Sequence, residues 1–161
     1  MTTQMKSPFE GRLSIVIDTR EQTPWSFPRE FAECSRGTLP TGDYALAGDM
    51  GFAIERKSLD DFLGTVSSGW ERFRRELARM EEARFPAKVI IVEADYRRCC
   101  FEATAEGIAS PDHNHPMLMP QFVNKRIAEL TMMQVSVLFA GNYYIAAGLA
   151  LAVLKERYLQ L

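Results

Sequence analysis

The sequence predicts an α/β domain with a central mixed β-sheet and helices on its faces. Short β-branched runs at 13–17, 88–93 and 135–139 alternate with stretches of helical periodicity. Apart from Ser14, Lys88, Glu93 and Ser136 these three runs are apolar, as a strand covered on both faces requires. A further pair of strands, 42–47 and 52–57, flanks Gly48, Asp49, Met50 and Gly51 and reads as a β-hairpin within the same sheet.

Taken in order, the first strand (Leu13, Ser14, Ile15, Val16, Ile17) ends on the polar group Asp18, Thr19, Arg20, Glu21. Residues 22–40 hold prolines and the aromatic anchors Trp25 and Phe27, with little periodicity. They read as loop, with a short helix near 28–34. In the hairpin, side chains alternate across each strand. Tyr44, Leu46, Phe52 and Ile54 therefore share a core face, and Asp43, Ala45, Ala53, Glu55 and Lys57 share the opposite one. Ser58 through Asp61 fits the capping pattern [ST]-x-x-[DE] and opens a helix with Leu59, Phe62, Leu63 and Val66 inward. Ser67, Ser68 and Gly69 break that helix. A second, with Trp70, Phe73, Leu77 and Met80 at helical spacing, runs from Trp70 to Arg84 and is ended by Pro86. After the strand at 88–93, residues 96–120 read as irregular. A helix spans 121–133, a strand 135–139, and Asn142 caps a last helix that runs to the C-terminus.

The chain has 161 residues, within the range of one domain of about 100–200 residues. We expect residues 1–161 to form that single domain, with 1–11 a flexible N-terminal tail. A hydrophobic content of 47% with 25% charged residues argues against disorder. Cys34, Cys99 and Cys100 are too few and too unevenly placed for a disulfide framework, which points to a reducing, cytoplasmic compartment. No apolar signal core opens the chain, and no apolar run reaches the ~18 residues of a membrane span. A net charge of −2 excludes a coat that binds nucleic acid by bulk charge. It leaves room for a metal-dependent nuclease, whose local carboxylates are reversed in field by the metal.

Four carboxylates and one lysine fall at strand ends: Asp18, Glu21, Asp43, Glu55 and Lys57. Eleven residues separate Asp43 from Glu55, enough for one tight hairpin, and Glu55 and Lys57 lie two apart on one face. Phosphodiester hydrolysis suits this layout. Mg2+ takes one or two carboxylates, several waters and substrate phosphate oxygens. Such a metal activates bound water and steadies the leaving oxygen, while a neighbouring lysine orients the water or holds phosphoryl charge. The plain alternative is a salt-bridge pattern on an exposed hairpin.

The segments Asp18-Thr19-Arg20-Glu21, Gly42-Asp43 and Glu55-Arg56-Lys57-Ser58-Leu59-Asp60-Asp61 resemble the XPF-type structure-specific nuclease family, whose signature is G-D-x(n)-E-R-K-x(3)-D preceded by D-x-R-E. Every signature position is matched, strongly from Leu13 to Phe62; beyond it only the order of elements agrees. The resemblance implies a restriction-endonuclease-like PD-(D/E)xK fold and Mg2+- or Mn2+-dependent cutting of one strand of branched, flapped or forked DNA. It places Asp18, Glu21, Asp43 and Glu55 around the metal and Lys57 at the water, with Arg20, Arg56 and Asp61 also matching. Relatives in this family dimerise through the nuclease domain and often carry helix-hairpin-helix modules. This sequence shows no such module, so branch specificity would come from a partner or a dimer, or be absent. The compact form fits a bacterial or phage protein. Two other roles stay open: a catalytically silent subunit that binds DNA or supports a dimer, and a nuclease without structure preference.

Several residues carry two readings. Asp61 sits where a capping acid belongs, and capping is favoured over metal ligation. Arg56 is out of phase with Glu55 and Lys57; it either reaches DNA phosphate or pairs with a carboxylate beneath the sheet. Arg20 is a positioning ion pair or a phosphate contact. The second helix is dense in Arg and Glu, the pattern of a solvated face, yet Arg72 and Arg75 stand near the active-site end and are candidate DNA contacts. His113 and His115 lack further ligands at zinc spacing. On the last helix Tyr144, Ala147, Leu151, Leu154 and Tyr158 form one apolar stripe, and Ile145, Leu149, Ala152, Val153 and Leu159 another. A helix apolar on two faces needs two partners, and the second is expected to be another subunit.

Overall fold

A computed structural model describes residues 11–82 and 87–161. The tail expected at 1–11, apart from Gly11, and the helix end expected at Arg84 and Pro86 lie outside the described residues. The element order is β1 (Leu13–Asp18), β2 (Ala32–Gly37), β3 (Tyr44–Leu46), β4 (Phe52–Lys57), α1 (Leu59–Val66), α2 (Trp70–Glu82), β5 (Ala87–Val92), a 3-10 turn (Tyr96–Cys99), β6 (Glu102–Thr104), β7 (Gly107–Ala109), α3 (Pro120–Met132), β8 (Val135–Phe139) and α4 (Tyr143–Leu159).

Six strands form one mixed sheet in the order β2-β1-β3-β4-β5-β8. The β3–β4 hairpin supplies the antiparallel centre, with Tyr44 opposite Ile54, while β4, β5 and β8 run parallel. The Tyr44–Ile54 pairing gives the facing pattern expected from the sequence, with Glu55 and Lys57 on the side away from Ile54. Alternation along β5 divides the interior in two. Val89 and Ile91 face α4 (Ala146, Ala147, Ala150, Leu154) together with Ile15, Ile17, Tyr44 and Ile54. Ile90 and Val92 face Phe62, Leu63 and Val66 of α1, Trp70 and Phe73 of α2, and Val123 and Leu130 of α3. Each fully buried side chain of this size contributes roughly 1.5–3 kcal/mol.

Two sequence expectations are corrected. In place of a short helix near 28–34 there is a single hydrogen-bonded turn, Phe31 and Ala32 donating to the Pro28 carbonyl, followed by β2. β2 is an edge strand parallel to β1, and only Ala32 of its six residues is buried, so its sequence carries no apolar alternation to announce it. The stretch expected to be irregular at 96–120 contains the 3-10 turn and the small β6–β7 hairpin, whose strand residues are exposed.

The helix starts follow from local chemistry. Ser58 accepts from the Asp61 amide at 3.1 Å and caps α1. Asn142 accepts from the Tyr144 and Ile145 amides, both at 3.0 Å, and caps α4. Between α1 and α2, Gly69 lets the backbones close: a Cβ there would stand 3.2 Å from Thr65 Cα, and its amide donates to the Gly64 carbonyl. That close turn brings α2 back across the end of the hairpin.

Candidate active site

Asp43 is delivered by a glycine. Gly42 has φ +75°, and a Cβ there would lie 2.7 Å from Ala53 Cβ and 3.0 Å from the Ile54 carbonyl oxygen. With that approach open, the Asp43 amide donates to the Ile54 carbonyl at 2.8 Å, and the Asp43 carboxylate accepts from the Arg56 amide at 2.8 Å. On the paired strand Glu55 and Lys57 project to the same side, with Lys57 Nζ 3.1 Å from Glu55 Oε1. Asp43, Glu55 and Lys57 line a cleft of about 800 Å³ whose opposite wall is α2, contributing Arg72, Phe73, Glu76, Arg79 and Met80, with Arg20 at its edge.

Burial pushes the Asp43 carboxyl up, and the charge of Glu55 pushes it further, to about 6, although the Arg56 amide works against both. Two acids that repel each other at a cleft wall, one of them paired with Lys57 and Lys88, are a set of hard oxygen donors. A hard divalent cation uses such a set, since Mg2+ needs only one or two protein carboxylates. The residues present therefore fit Mg2+ or Mn2+. Among the described residues no group of three or more His, Cys, Asp or Glu side chains converges to hold a metal, and of the four carboxylates expected around it only Asp43 and Glu55 line the cleft.

The other two acids stand behind it. Asp18 is buried, and its carboxylate is occupied: Oδ1 accepts from Arg20 Nε at 2.6 Å and the Arg20 amide at 2.9 Å, Oδ2 from Arg20 Nη2 at 3.1 Å and the Leu39 amide at 2.7 Å. The Arg20 guanidinium holds the Asp18 carboxyl far below the usual carboxylate range. Glu21 lies 3.4 Å from Arg56 Nη1 and accepts from the Thr23 amide. Neither acid lines the cleft.

Arg56, which matches the family signature and is expected as a candidate catalytic residue on that ground, points to the other side of the sheet from Glu55 and Lys57. Its guanidinium pairs with Glu93 (Nε to Oε1 2.8 Å) and Glu21, donates to the Thr23 carbonyl, and lies over the Trp25 and Tyr143 rings. Of the two readings open for it, the structure has the ion pair beneath the sheet. Trp25 completes this layer: its ring stacks on Tyr44 at 4.5 Å, its Nε1 donates to Glu93, and its amide donates to the Tyr44 hydroxyl.

Of the arginines proposed to meet DNA, Arg20 and Arg72 line the cleft and Arg75 does not. Arg79, two turns beyond Arg72 on the same face, takes that place. Arg97 and Arg98 are paired with Asp95 and Asp112, and Arg126 with Glu129 while lying over the Trp70 ring. Asp61 sits inside the α1 cap: its amide donates to Ser58 Oγ at 3.1 Å, and its carboxylate accepts from the Ser58 hydroxyl at 2.9 Å. His115 Nε2 stands 3.0 Å from Asp60 Oδ1, with His113 beside it. Sequence reasoning missed Glu93, Thr41, Glu76 and Lys88. For Lys88 a signal existed: it is the lone charge opening an otherwise apolar strand.

A mixed sheet flanked by helices, with Asp43 at the start of one hairpin strand facing Glu55 and Lys57 on the other, defines the class by its fold: a restriction-endonuclease-like domain. The family model described as the ERCC4 domain matches residues 17–147, and the chain belongs to that family. Its fold is similar to that of XPF from Aeropyrum pernix (TM-score 0.62, 16% identity, 89% of this chain and 61% of that one). It is similar also to XPF from Aeropyrum pernix in complex with DNA (TM-score 0.60, 20% identity, 92% and 66%). The chain thus spans about two thirds or less of the solved chains it resembles. No curated protein matches the sequence.

Proposed function

We propose that this domain hydrolyses phosphodiester bonds in DNA, at branched, flap or fork structures, using Mg2+ or Mn2+ held by Asp43 and Glu55. The observation that carries this reading is the convergence of Asp43, Glu55 and Lys57 on one cleft wall opposite arginines of α2. Membership of a nuclease family and likeness to an XPF structure determined with DNA support it.

The metal, when bound, polarises the scissile phosphoryl group and supplies activated water. The chain's own residues do the rest. Arg20, Arg72 and Arg79 hold phosphates along the cleft. Lys57, positioned by Glu55, donates to the attacking water or to a phosphoryl oxygen as charge develops there. The Asp18–Arg20 pair fixes the edge of the cleft. The Glu21–Arg56–Glu93 layer holds Arg56, and through its amide the Asp43 carboxylate, in place.

Mg2+-dependent cleavage of labelled flap, fork and linear DNA, with RNA hairpins as a control, tests the reading. The wild type is expected to cut branched DNA, and Asp43→Asn and Lys57→Ala to lose at least 100-fold in rate. A wild type that cuts nothing moves the assignment to a silent DNA-binding subunit; equal cutting of linear duplex or RNA removes the structure preference.

We further propose a homodimer through α4. One face of this helix packs on the sheet, while Tyr144, Ile145 and Leu159 are exposed. Apolar side chains on one helix face are the usual mark of a covered surface. Light scattering should give twice the monomer mass for wild type and a monomer for Ile145→Glu; a monomeric wild type at tens of micromolar would end the idea.

A further inference from the structure

Lys88 is a buried charge where packing alone asks for none. It is 2% exposed and sits near the start of β5, level with Ala53 on one side and Val135 on the other. An aliphatic residue there would match the rest of the strand. Burying an ammonium is costly unless it is paired and hydrogen-bonded. Lys88 is paired twice: Nζ lies 2.7 Å from Glu76 Oε1 and 3.3 Å from Glu55 Oε2. It also donates to Thr41 Oγ1 at 3.4 Å and lies 5.2 Å from the centre of the Phe73 ring. Thr41 in turn donates to Glu76 Oε1 at 3.1 Å.

The two Glu55 oxygens are thereby each held by a different ammonium, Oε1 by Lys57 and Oε2 by Lys88. The terminal torsion of a glutamate is otherwise broad. A carboxylate fixed at both oxygens presents one orientation to the cleft. The same ammonium draws Glu76, and with it α2, against the wall that carries Glu55. Thr41 ties that arrangement to Gly42 and Asp43.

We propose that Lys88 is a positioning residue of the active site: its buried ammonium fixes the Glu55 carboxylate and locks α2 to it through Glu76. This rests on the nuclease reading given above. Hydrogen-bond partners of metal-holding carboxylates are known to matter 10–100-fold in metal affinity or activity.

The test compares wild type, Lys88→Met and Lys88→Met/Glu76→Gln by three readouts: thermal midpoint, Mn2+ affinity from an electron-paramagnetic titration, and single-turnover cleavage of forked DNA in Mg2+. Lys88→Met strands the Glu76 charge and is expected to lose stability, affinity and rate together. The double variant removes that stranded charge. It is expected to recover the wild-type midpoint while still binding Mn2+ at least tenfold more weakly and cutting at least tenfold more slowly. A double variant equal to wild type in affinity and rate overturns the positioning role. One that fails to recover its midpoint overturns the account of Lys88 as an ion-pair partner of Glu76. A wild type that neither binds Mn2+ nor cuts any substrate overturns the nuclease reading, and this role with it.

Discussion

Asp43 sits in a position that is worse for stability than for chemistry. It is half-buried, faces the charge of Glu55, and its carboxyl is raised to about 6. A group whose folded pKa lies above its unfolded value, about 3.9, favours folding below that value and loses this contribution as pH rises through 6. At pH 7.5 without metal, Asp43 therefore opposes folding. Asp43→Asn removes the charge and keeps the shape, so urea denaturation in chelator should show it more stable than wild type by about 1–2 kcal/mol at pH 7.5, with no difference at pH 3.5. A variant less stable at both pH values would mean that the raised carboxyl reflects hydrogen bonds that asparagine cannot make. This residue was legible in the sequence because period-two alternation put Glu55 and Lys57 on one face and a hairpin set Asp43 opposite. The partners of Arg56 and Lys88 were not. Glu93 lies 37 residues from Arg56, and Glu76 lies on a helix, so no local spacing relates them.

At the scale of the element, α2 shows how a charge-rich helix divides its faces. Arg72 and Arg79 turn to the cleft with Glu76 between them, and Glu76 is already neutralised by Lys88. Burial works to raise the Glu76 carboxyl, but the charge and hydrogen bond of Lys88, with the Thr41 bond, outweigh it and hold it below the ordinary range. The cleft face of α2 is therefore cationic although the helix sequence alternates signs. Arg75, exposed, lies off that face. Removing an arginine that holds a DNA phosphate should lower the slope of log affinity against log salt by about 1. Fluorescence anisotropy with forked DNA, in chelator and an Asp43→Asn background to prevent any cutting, should show that reduction for Arg79→Ala and none for Arg75→Ala. Equal effects at both positions would refute the assigned helix face. Although Met80, expected inward, lines the cleft, the sequence showed this helix and the inward Trp70, Phe73 and Leu77. It did not show which arginine met the cleft, because that depends on the Gly69 turn that sets the helix's rotation. β2 was illegible for a related reason: an edge strand with polar, exposed side chains is recognised by the β1 backbone it pairs with, not by its own pattern.

On the scale of the molecule, the hairpin that carries Asp43 and Glu55 is held at both ends by different layers. Its open end faces α1 and α2. Its turn is tied to the far face of the sheet, where Asp49 receives Arg157 of α4 in a two-pronged pair, Nε to Oδ2 at 2.7 Å and Nη2 to Oδ1 at 3.0 Å. Asp49 also accepts from the Gly51 amide at 2.9 Å, which closes the turn, and Arg157 lies over the Phe52 ring. Charge-assisted pairs of this geometry are about twice as strong as neutral hydrogen bonds, contributing about 1.5–3 kcal/mol. The Arg157 hydrogen bonds hold the Asp49 carboxyl below its ordinary value. A depressed carboxyl contributes stability that is present above the unfolded pKa of about 3.9 and is lost as pH falls through the folded one. Asp18, lowered by Arg20, has the same sign. Stability should thus fall as the solution is acidified below about pH 4, and Asp49→Asn should remove part of that fall. At pH 7 the variant should be less stable by about 1.5–3 kcal/mol, with the gap to wild type narrowing toward pH 2.5, as followed by urea midpoints. A gap that stays constant across this range would refute the charged pair with Arg157 as the source of the difference.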